Sequence, residues 1–356
     1  MKSLAWGILL GVLLAGLVLP LGDARMTAAA RQPQQPQQQK PPAQQQPQGD
    51  VAISVEVPVV TVEVLATTQH GDVIGGLRKE NFRILEDGVP QTITTFAPSD
   101  SPITIVMLME FSKVYSGIFA YTAKYWADAF FRNLNQKDWV ALVTFDIKPR
   151  LEVDFTQNKE EVRAAVFRLY FPGFSESNVY DALLDTLDKL KDVPGKKSIL
   201  LLASGIDTFS KHTLDQTLKQ VKQTDVTIFA VGVGQQLLEY LESHQAIGGV
   251  NRLTFYQAQN SLKTFAQLTG GYSWFPQFDG EIPAIYRDVV AYLRNQYSLA
   301  YTPTNRARDG KFRKIKIELV AADGSPLQVK DQKGKLQKLV VYARQGYVAT
   351  EEKQGD

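Results

Sequence analysis

Ile103-Thr104-Ile105-Val106-Met107-Leu108-Met109, running straight into Glu110-Phe111-Ser112-Lys113-Val114, decides the fold. A run this apolar on both parities belongs to a strand covered on both faces, the habit of parallel sheets. Ser198–Ala203 and Val226–Val233 are runs of the same kind, and Val140–Phe145 is a further strand-like run. Amphipathic stripes separate them. Phe119, Ala123, Trp126, Phe130 and Leu134 recur at helical spacing, as do Val179, Leu183, Leu187 and Leu190, and then Ile282, Ile285, Val289 and Leu293. This alternation predicts an α/β domain over residues 100–295, a doubly wound, mostly parallel, Rossmann-like sheet. Arg150–Phe155, beyond Pro149, fits a short antiparallel edge hairpin with the strand before it. Ligands of such sheets gather at the carboxyl ends of the strands, so function is to be sought in the segments that follow them.

Outward from this centre the pattern turns to β. Val51, Ile53, Val55, Val57 and Val59 alternate with other residues, and the parity then switches to Val60, Val62 and Val64. A switch of this kind marks a bulge or a new strand near Pro58. Phe82–Leu85 and Thr92–Phe96 flank Glu86-Asp87-Gly88-Val89, and Asp-Gly between strand-like runs predicts a hairpin. At the far end Tyr297–Tyr301, the alternating Ile315, Ile317 and Leu319, and Leu339–Tyr342 read as strands, the last of them closing the fold. Neither end holds enough strands to be stable alone. Residues 51–99 and 296–349 are therefore expected to pair as the two halves of a β-sandwich into which the central domain is inserted.

The ends are simpler. Lys2, an apolar run from Leu4 to Leu21 and Gly22-Asp23-Ala24 read as a signal peptide over residues 1–24. An uncleaved anchor through residues 4–21 is the alternative, since that run is just long enough to span a bilayer. Residues 25–50 form a Gln/Pro-rich linker too poor in apolar groups to order itself, and 350–356 a polar tail. The expected location is secreted or periplasmic, with membrane contact only through the signal or anchor. The 356 residues, 44% of them apolar and 21% charged, suffice for two domains. A net charge of +2 argues against a nucleic-acid partner. The absence of cysteine excludes disulfides, thiol nucleophiles and a lipidated cysteine. His70, His212 and His244 share no zinc-ligand spacing and read as surface residues.

Three loops carry the rest. After Met109 comes Glu110-Phe111-Ser112-Lys113-Val114. Gly173-Phe174-Ser175-Glu176-Ser177-Asn178-Val179-Tyr180-Asp181 precedes a helix, and Ala203-Ser204-Gly205-Ile206-Asp207 follows a strand. In that order they resemble the three metal-binding loops of a von Willebrand factor type A domain. The flanks sharpen the likeness: Gly76–Phe82, Leu85–Gln91, Thr269-Gly270-Gly271, Asn295-Gln296-Tyr297, Tyr301-Thr302-Pro303, Asp309–Lys314 and Arg344–Tyr347. With them the chain resembles the bacterial VWFA-related family of exported proteins over roughly residues 53–349.

The resemblance implies a metal-ion-dependent adhesion site, in which Asp-x-Ser-x-Ser, a Thr and a second Asp hold Mg²⁺ and leave one position for a partner's carboxylate. Here Glu110 stands at the first Asp, Ser112 at the first Ser, Val114 at the second Ser, Ser177 at the Thr and Ser204 at the ligand Asp. Asp207 survives at a supporting position. An isopropyl group cannot bind a hard cation, and Mg²⁺ tolerates little change of geometry. Glu110, Ser112, Ser177, Ser204 and Asp207 thus read as a degenerate metal site, with metal dependence reduced or lost and the serines serving as loop and helix caps. No cofactor is expected, Mg²⁺ or Mn²⁺ being the alternative. Asp181 falls in the first turn of its helix, where negative charge is favourable.

The expected function is a non-enzymatic protein-binding, adhesion or assembly module with a protein partner, anchored by Phe111, Tyr115, Phe174 and Phe209 at the loop edge; Phe171 is also near it. Two alternatives stand beside it. One is a hydrolase using a serine near His212, although neither Gly-x-Ser-x-Gly nor Ser-x-x-Lys occurs. The other is a structural spacer in the envelope.

Overall fold

The computed structural model describes residues 59–98, 101–113, 126–169, 173–234, 238–239, 242 and 252–350. The expected signal, linker, parity switch near Pro58 and tail lie outside these residues, as do Tyr115, Phe171 and His244. No helix among the described residues is long and apolar enough to cross a membrane.

The central sheet has six strands: β5 (Ile103–Glu110), β6 (Trp139–Phe145), β7 (Pro149–Thr156), β8 (Lys196–Ala203), β9 (Thr227–Gly232) and β10 (Ser273–Trp274). Their spatial order is β10-β9-β8-β5-β6-β7, parallel except for the β6–β7 hairpin. The two parities of β5 feed two separate cores. Ile103, Ile105, Met107 and Met109 pack with Trp126, Phe130 and the helix α5 (Ile282–Arg294). Val106 and Leu108 pack with α2 (Val179–Leu190), whose Val179, Leu183, Leu187 and Leu190 are all buried. Further helices among the described residues are α1 (Lys159–Phe167), α3 (Leu214–Val221) and α4 (Arg252–Thr269). The α/β centre anticipated from the apolar runs is therefore the one observed.

The two chain ends meet as expected. Strand β1 (Val60–Thr68) pairs antiparallel with both β11 (Tyr297–Tyr301) and β15 (Leu339–Ala343), and β4 (Ile93–Ala97) pairs with β11. A second sheet sets β12 (Phe312–Leu319) between β16 (Gly346–Val348) and β2 (Phe82–Glu86), with β3 (Val89–Gln91) outside β2. The small hairpin β13 (Val329–Lys330) and β14 (Leu336–Gln337) stands apart. Val62, Val64, Ile84, Tyr297, Leu299, Tyr301, Ile315 and Ile317 form the core between the two larger sheets.

Two details differ from the sequence reading. The hairpin turn is at Asp87-Gly88, with φ of 49° and 87°, as a two-residue turn requires. Its return strand, however, is Val89–Gln91, and Ile93–Ala97 crosses to the other sheet. Leu339–Ala343 is followed by one more strand, β16.

Strand β1 is buried on both faces because it serves two cores. Val62 and Val64 point into the sandwich, while Leu65 joins the core of the central domain. Gly270 allows the sandwich strand β15 to come this close, and Gly271 lets its own chain pass against β9 within the central domain. A Cβ at Gly271 would lie 1.9 Å from the Ile228 carbonyl oxygen, and one at Gly270, where φ is 80°, 2.5 Å from the backbone of Ala343. Tyr272, Trp274, Tyr292 and Tyr342 close the junction as a ring cluster, with Tyr272 edge-on to Trp274 at 4.8 Å and to Tyr342 at 5.3 Å.

Candidate functional site at the carboxyl rim of the central sheet

Parallel strands β5 and β8 are neighbours, so their ends deliver Glu110 and Ser204 to the same place. Glu110 lies on the final residue of β5 and is almost fully buried. Both of its carboxylate oxygens are engaged. Oε2 accepts the Ser204 N–H at 2.8 Å and the Ser204 hydroxyl at 2.7 Å, and Oε1 accepts the Ser112 hydroxyl at 3.0 Å. Burial pushes the Glu110 carboxyl above its ordinary range, against the opposing pull of the Ser204, Ser112 and Ser177 groups. The added methylene of Glu carries the carboxylate far enough to reach across the rim.

The other predicted residues sit nearby in different roles. Ser177 is buried beside the same carboxylate, but its Oγ makes no hydrogen bond of good geometry. Its backbone oxygen accepts the N–H groups of Thr208 and Phe209, at 2.8 and 3.0 Å, and its N–H donates to Thr208 Oγ1. Asp207 accepts the Tyr180 N–H at 3.3 Å and the Ser210 hydroxyl at 2.5 Å, and its pKa is raised, chiefly by burial. It closes a free N–H in the first turn of α2, a capping role. Gly205 makes this bend possible: φ is 79°, and a Cβ would lie 2.8 Å from the Ala258 carbonyl oxygen.

The inherited ligand positions do not suit a cation. A metal there needs lone pairs aimed at a common centre. The Glu110 oxygens are aimed instead at two serines and an amide, and burial favours their protonated form. Among the described residues no group of three or more His, Asp or Glu side chains is arranged to hold a metal ion.

The expected aromatic anchors divide. Phe174 and Phe209 are 45% and 54% exposed, on the two loops that flank Ser177. Phe111 is 3% exposed and belongs to the core, so it is removed from the set of anchors. Its odd number continues the face of Ile105, Met107 and Met109, and its N–H donates to the Phe145 carbonyl at 2.7 Å, prolonging the strand by one residue.

Asp181 does more than sit in a helix first turn. It accepts the backbone N–H groups of Lys211 and His212, at 2.9 and 3.1 Å, and contacts the His212 ring at 2.7 Å. Burial alone would raise its pKa, but these bonds hold it below the usual carboxylate range. Ser210 does not complete a nucleophilic triad with them. Its hydroxyl donates to Asp207 and accepts the Asp181 N–H at 3.1 Å.

Two polar residues escaped the sequence reading. Asp146, immediately after β6, is fully buried, and Asn178 directly precedes α2. Asp146 Oδ1 accepts the Ile147 N–H at 2.7 Å and the Arg150 guanidinium at 2.8 Å. The only sequence signals for them were an aspartate at the carboxyl end of a strand and an asparagine at a helix start.

Comparison with known proteins finds a domain match over the central part of the chain. The model of the von Willebrand factor type A domain matches residues 105–268. No curated protein matches the sequence. Among solved structures, the von Willebrand factor domain of the type V pilus tip protein Mfa5 from Porphyromonas gingivalis superposes with a TM-score of 0.40 at 10% identity, over 54% of this chain and 95% of that one. Proximal thread matrix protein 1 from the mussel byssus gives 0.42 at 14% identity, over 59% of this chain and 51% of that one. A von Willebrand factor type A protein from Catenulispora acidiphila gives 0.41 at 11%, over 86% and 77%. Residues 105–268, with β5 opening and α4 closing the match, thus carry a von Willebrand factor type A domain.

Proposed function

We propose that the chain is an exported, non-enzymatic protein-binding module for adhesion or assembly, whose carboxyl rim engages a protein partner without a cation at the inherited metal position. The observation that carries this reading is the closed knot of Glu110, Ser112 and Ser204, beside which Phe174 and Phe209 remain exposed. Exposed aromatic side chains on loops held by a rigid sheet make good anchors. Similarity to a pilus tip domain and a byssal matrix protein is in keeping with such a role but adds no weight of its own. Export rests on the N-terminal sequence. The working division is a signal over 1–24, a linker over 25–50, sandwich halves over 51–99 and 296–349, and the central domain over 100–295.

The test is capture of envelope proteins by the immobilised chain. Changing Phe174 and Phe209 together to Ser should abolish capture, while Glu110→Gln, which removes the one carboxylate at the inherited position, should preserve it. Capture lost in Glu110→Gln with stability intact would sink the cation-free reading. Capture that survives the double change would move the partner elsewhere. Labelling by a serine-directed probe that disappears in His212→Ala would instead favour a hydrolase.

A further inference from the structure

The two sheets of the sandwich part between β15 and β12. Strand β15 is the outer strand of its sheet and pairs with β1 without a register shift. The Lys338 carbonyl accepts the Gln69 N–H, so the backbone groups of Val340 and Tyr342 also face β1, and those of Val341 and Ala343 face away from it. On β12 the Ile315 N–H donates to the Gln345 carbonyl, and the Leu319 carbonyl accepts the Leu327 N–H. Ile317, between them, turns its N–H and C=O the same way, away from β2. The outward groups of Val341, Ala343 and Ile317 meet no backbone partner among the described residues. These three residues, with Ile315, line one cleft. An open edge strand is a template for another strand, and proteins blunt the edges they leave free with charge, proline or a bulge. Leu339–Ala343 carries none of these.

The charge of the cleft is one-sided. Lys314, Lys316 and Arg344 line it, and no Asp or Glu does. Lys316 is engaged with Glu318 at 2.8 Å, but Lys314 is exposed and has no carboxylate partner among the described residues. Arg344 is 8% exposed. Its Nε donates to the Gly346 carbonyl at 2.9 Å, and its Nη2 has no partner. A buried cation without a counter-charge is costly, which favours an anionic group brought to it.

We propose that β15 accepts, as an added strand, an extended segment of a partner protein that alternates apolar and acidic residues. The segment's backbone pairs with Val341 and Ala343, its apolar side chains continue the sandwich core, and its acidic side chains answer the cations of the cleft. This surface belongs to the sandwich, so the proposal does not rest on the reading of the carboxyl rim.

The probe is an end-blocked fluorescent heptapeptide alternating valine with glutamate, titrated against the full chain and read by anisotropy. It should bind. Exchanging its glutamates for lysine should weaken binding by on the order of tenfold at low salt. Methylating its amide nitrogens removes the ladder donors and leaves the charge unchanged; binding should fall by a similar factor. In the chain, Lys314→Glu, at an exposed position, should weaken binding about fivefold. Phe174→Ser combined with Phe209→Ser should leave it unchanged. Hydrogen exchange in the complex should slow at the Val341 and Ala343 amides. No binding, or binding indifferent to amide methylation, would overturn the proposal. So would slowing at the carboxyl rim instead, or a chain that dimerises on its own and protects those two amides, which would hand the edge to a second copy.

Discussion

The two ends of the central sheet bury charge in opposite ways. At the carboxyl rim Glu110 faces only hydroxyls and an amide, and each of its oxygens is satisfied. At the amino edge, where the sandwich attaches, Lys196 on β8 is buried together with Glu63 on β1. Lys196 donates to the Gln296 carbonyl at 3.0 Å and Glu63 accepts the Ser298 hydroxyl, yet both side-chain polar atoms of Gln296 are left without partners. The difference teaches which cluster stiffens the fold and which leaves it tunable. A carboxyl whose two oxygens are both hydrogen-bonded holds two strand ends together, whereas a sparsely bonded cation and carboxylate at a seam keep their desolvation penalty.

The largest effect should come from breaking the saturated cluster. Glu110→Ala removes one acceptor and strands two serine hydroxyls and one backbone N–H in a dry site. The expected loss is about 3–5 kcal/mol by urea unfolding, combining unpaired groups and a cavity. Glu110→Gln keeps an oxygen for Ser204 and an amide to donate to Ser112, and should stay within about 1 kcal/mol of wild type. If Ala and Gln behaved alike, the hydrogen bonds would not be what holds the rim.

The seam should answer to pH instead. Desolvation depresses Lys196 from 10.5 to about 8, with Glu63 opposing the shift. Between those two values the unfolded chain holds a proton that the folded chain has released, so stability climbs as pH rises from 8 towards 10.5. The gain is at most about 3 kcal/mol. Lys196→Met should flatten the rise, and a curve parallel to wild type would assign the slope to other groups. Glu63 has the opposite sign: burial raises its pKa, so its contribution falls as pH climbs above 4.5.

How far the sequence could be read depended on how local the decisive physics was. β5 and β8 were legible because both parities are apolar, which only a doubly covered strand tolerates. The return strand of the hairpin was not: Pro90 and Gln91 look unlike a strand, whereas Thr92–Phe96 is rich in β-formers, and only the two-residue turn places the partner. β10 has just two residues and no periodicity to show. At the site, the family likeness brought Glu110, Ser112, Ser177 and Ser204 together, but not what Glu110 does there. That depends on a single methylene and on Ser204, a neighbour distant in sequence. Phe111 could have been recognised as core from its parity with Met109. Asp146 and Asn178 could not, because a turn aspartate and a pre-helix asparagine have the same composition whether or not an oxygen is left free.

The smallest effect separates capping from ligation at Asp207. If this residue only meets the Tyr180 N–H and orders Ser210, Asp207→Ala should cost about 1 kcal/mol, as cap removal does. Asp207→Asn should lose still less, since the amide oxygen can accept the same N–H. A loss in Asp207→Ala approaching that of Glu110→Ala would show instead that the 204–210 loop and the Glu110 cluster act as one unit. The rim would then have to be treated as a single cooperative cluster, with its contrast to the seam all the sharper.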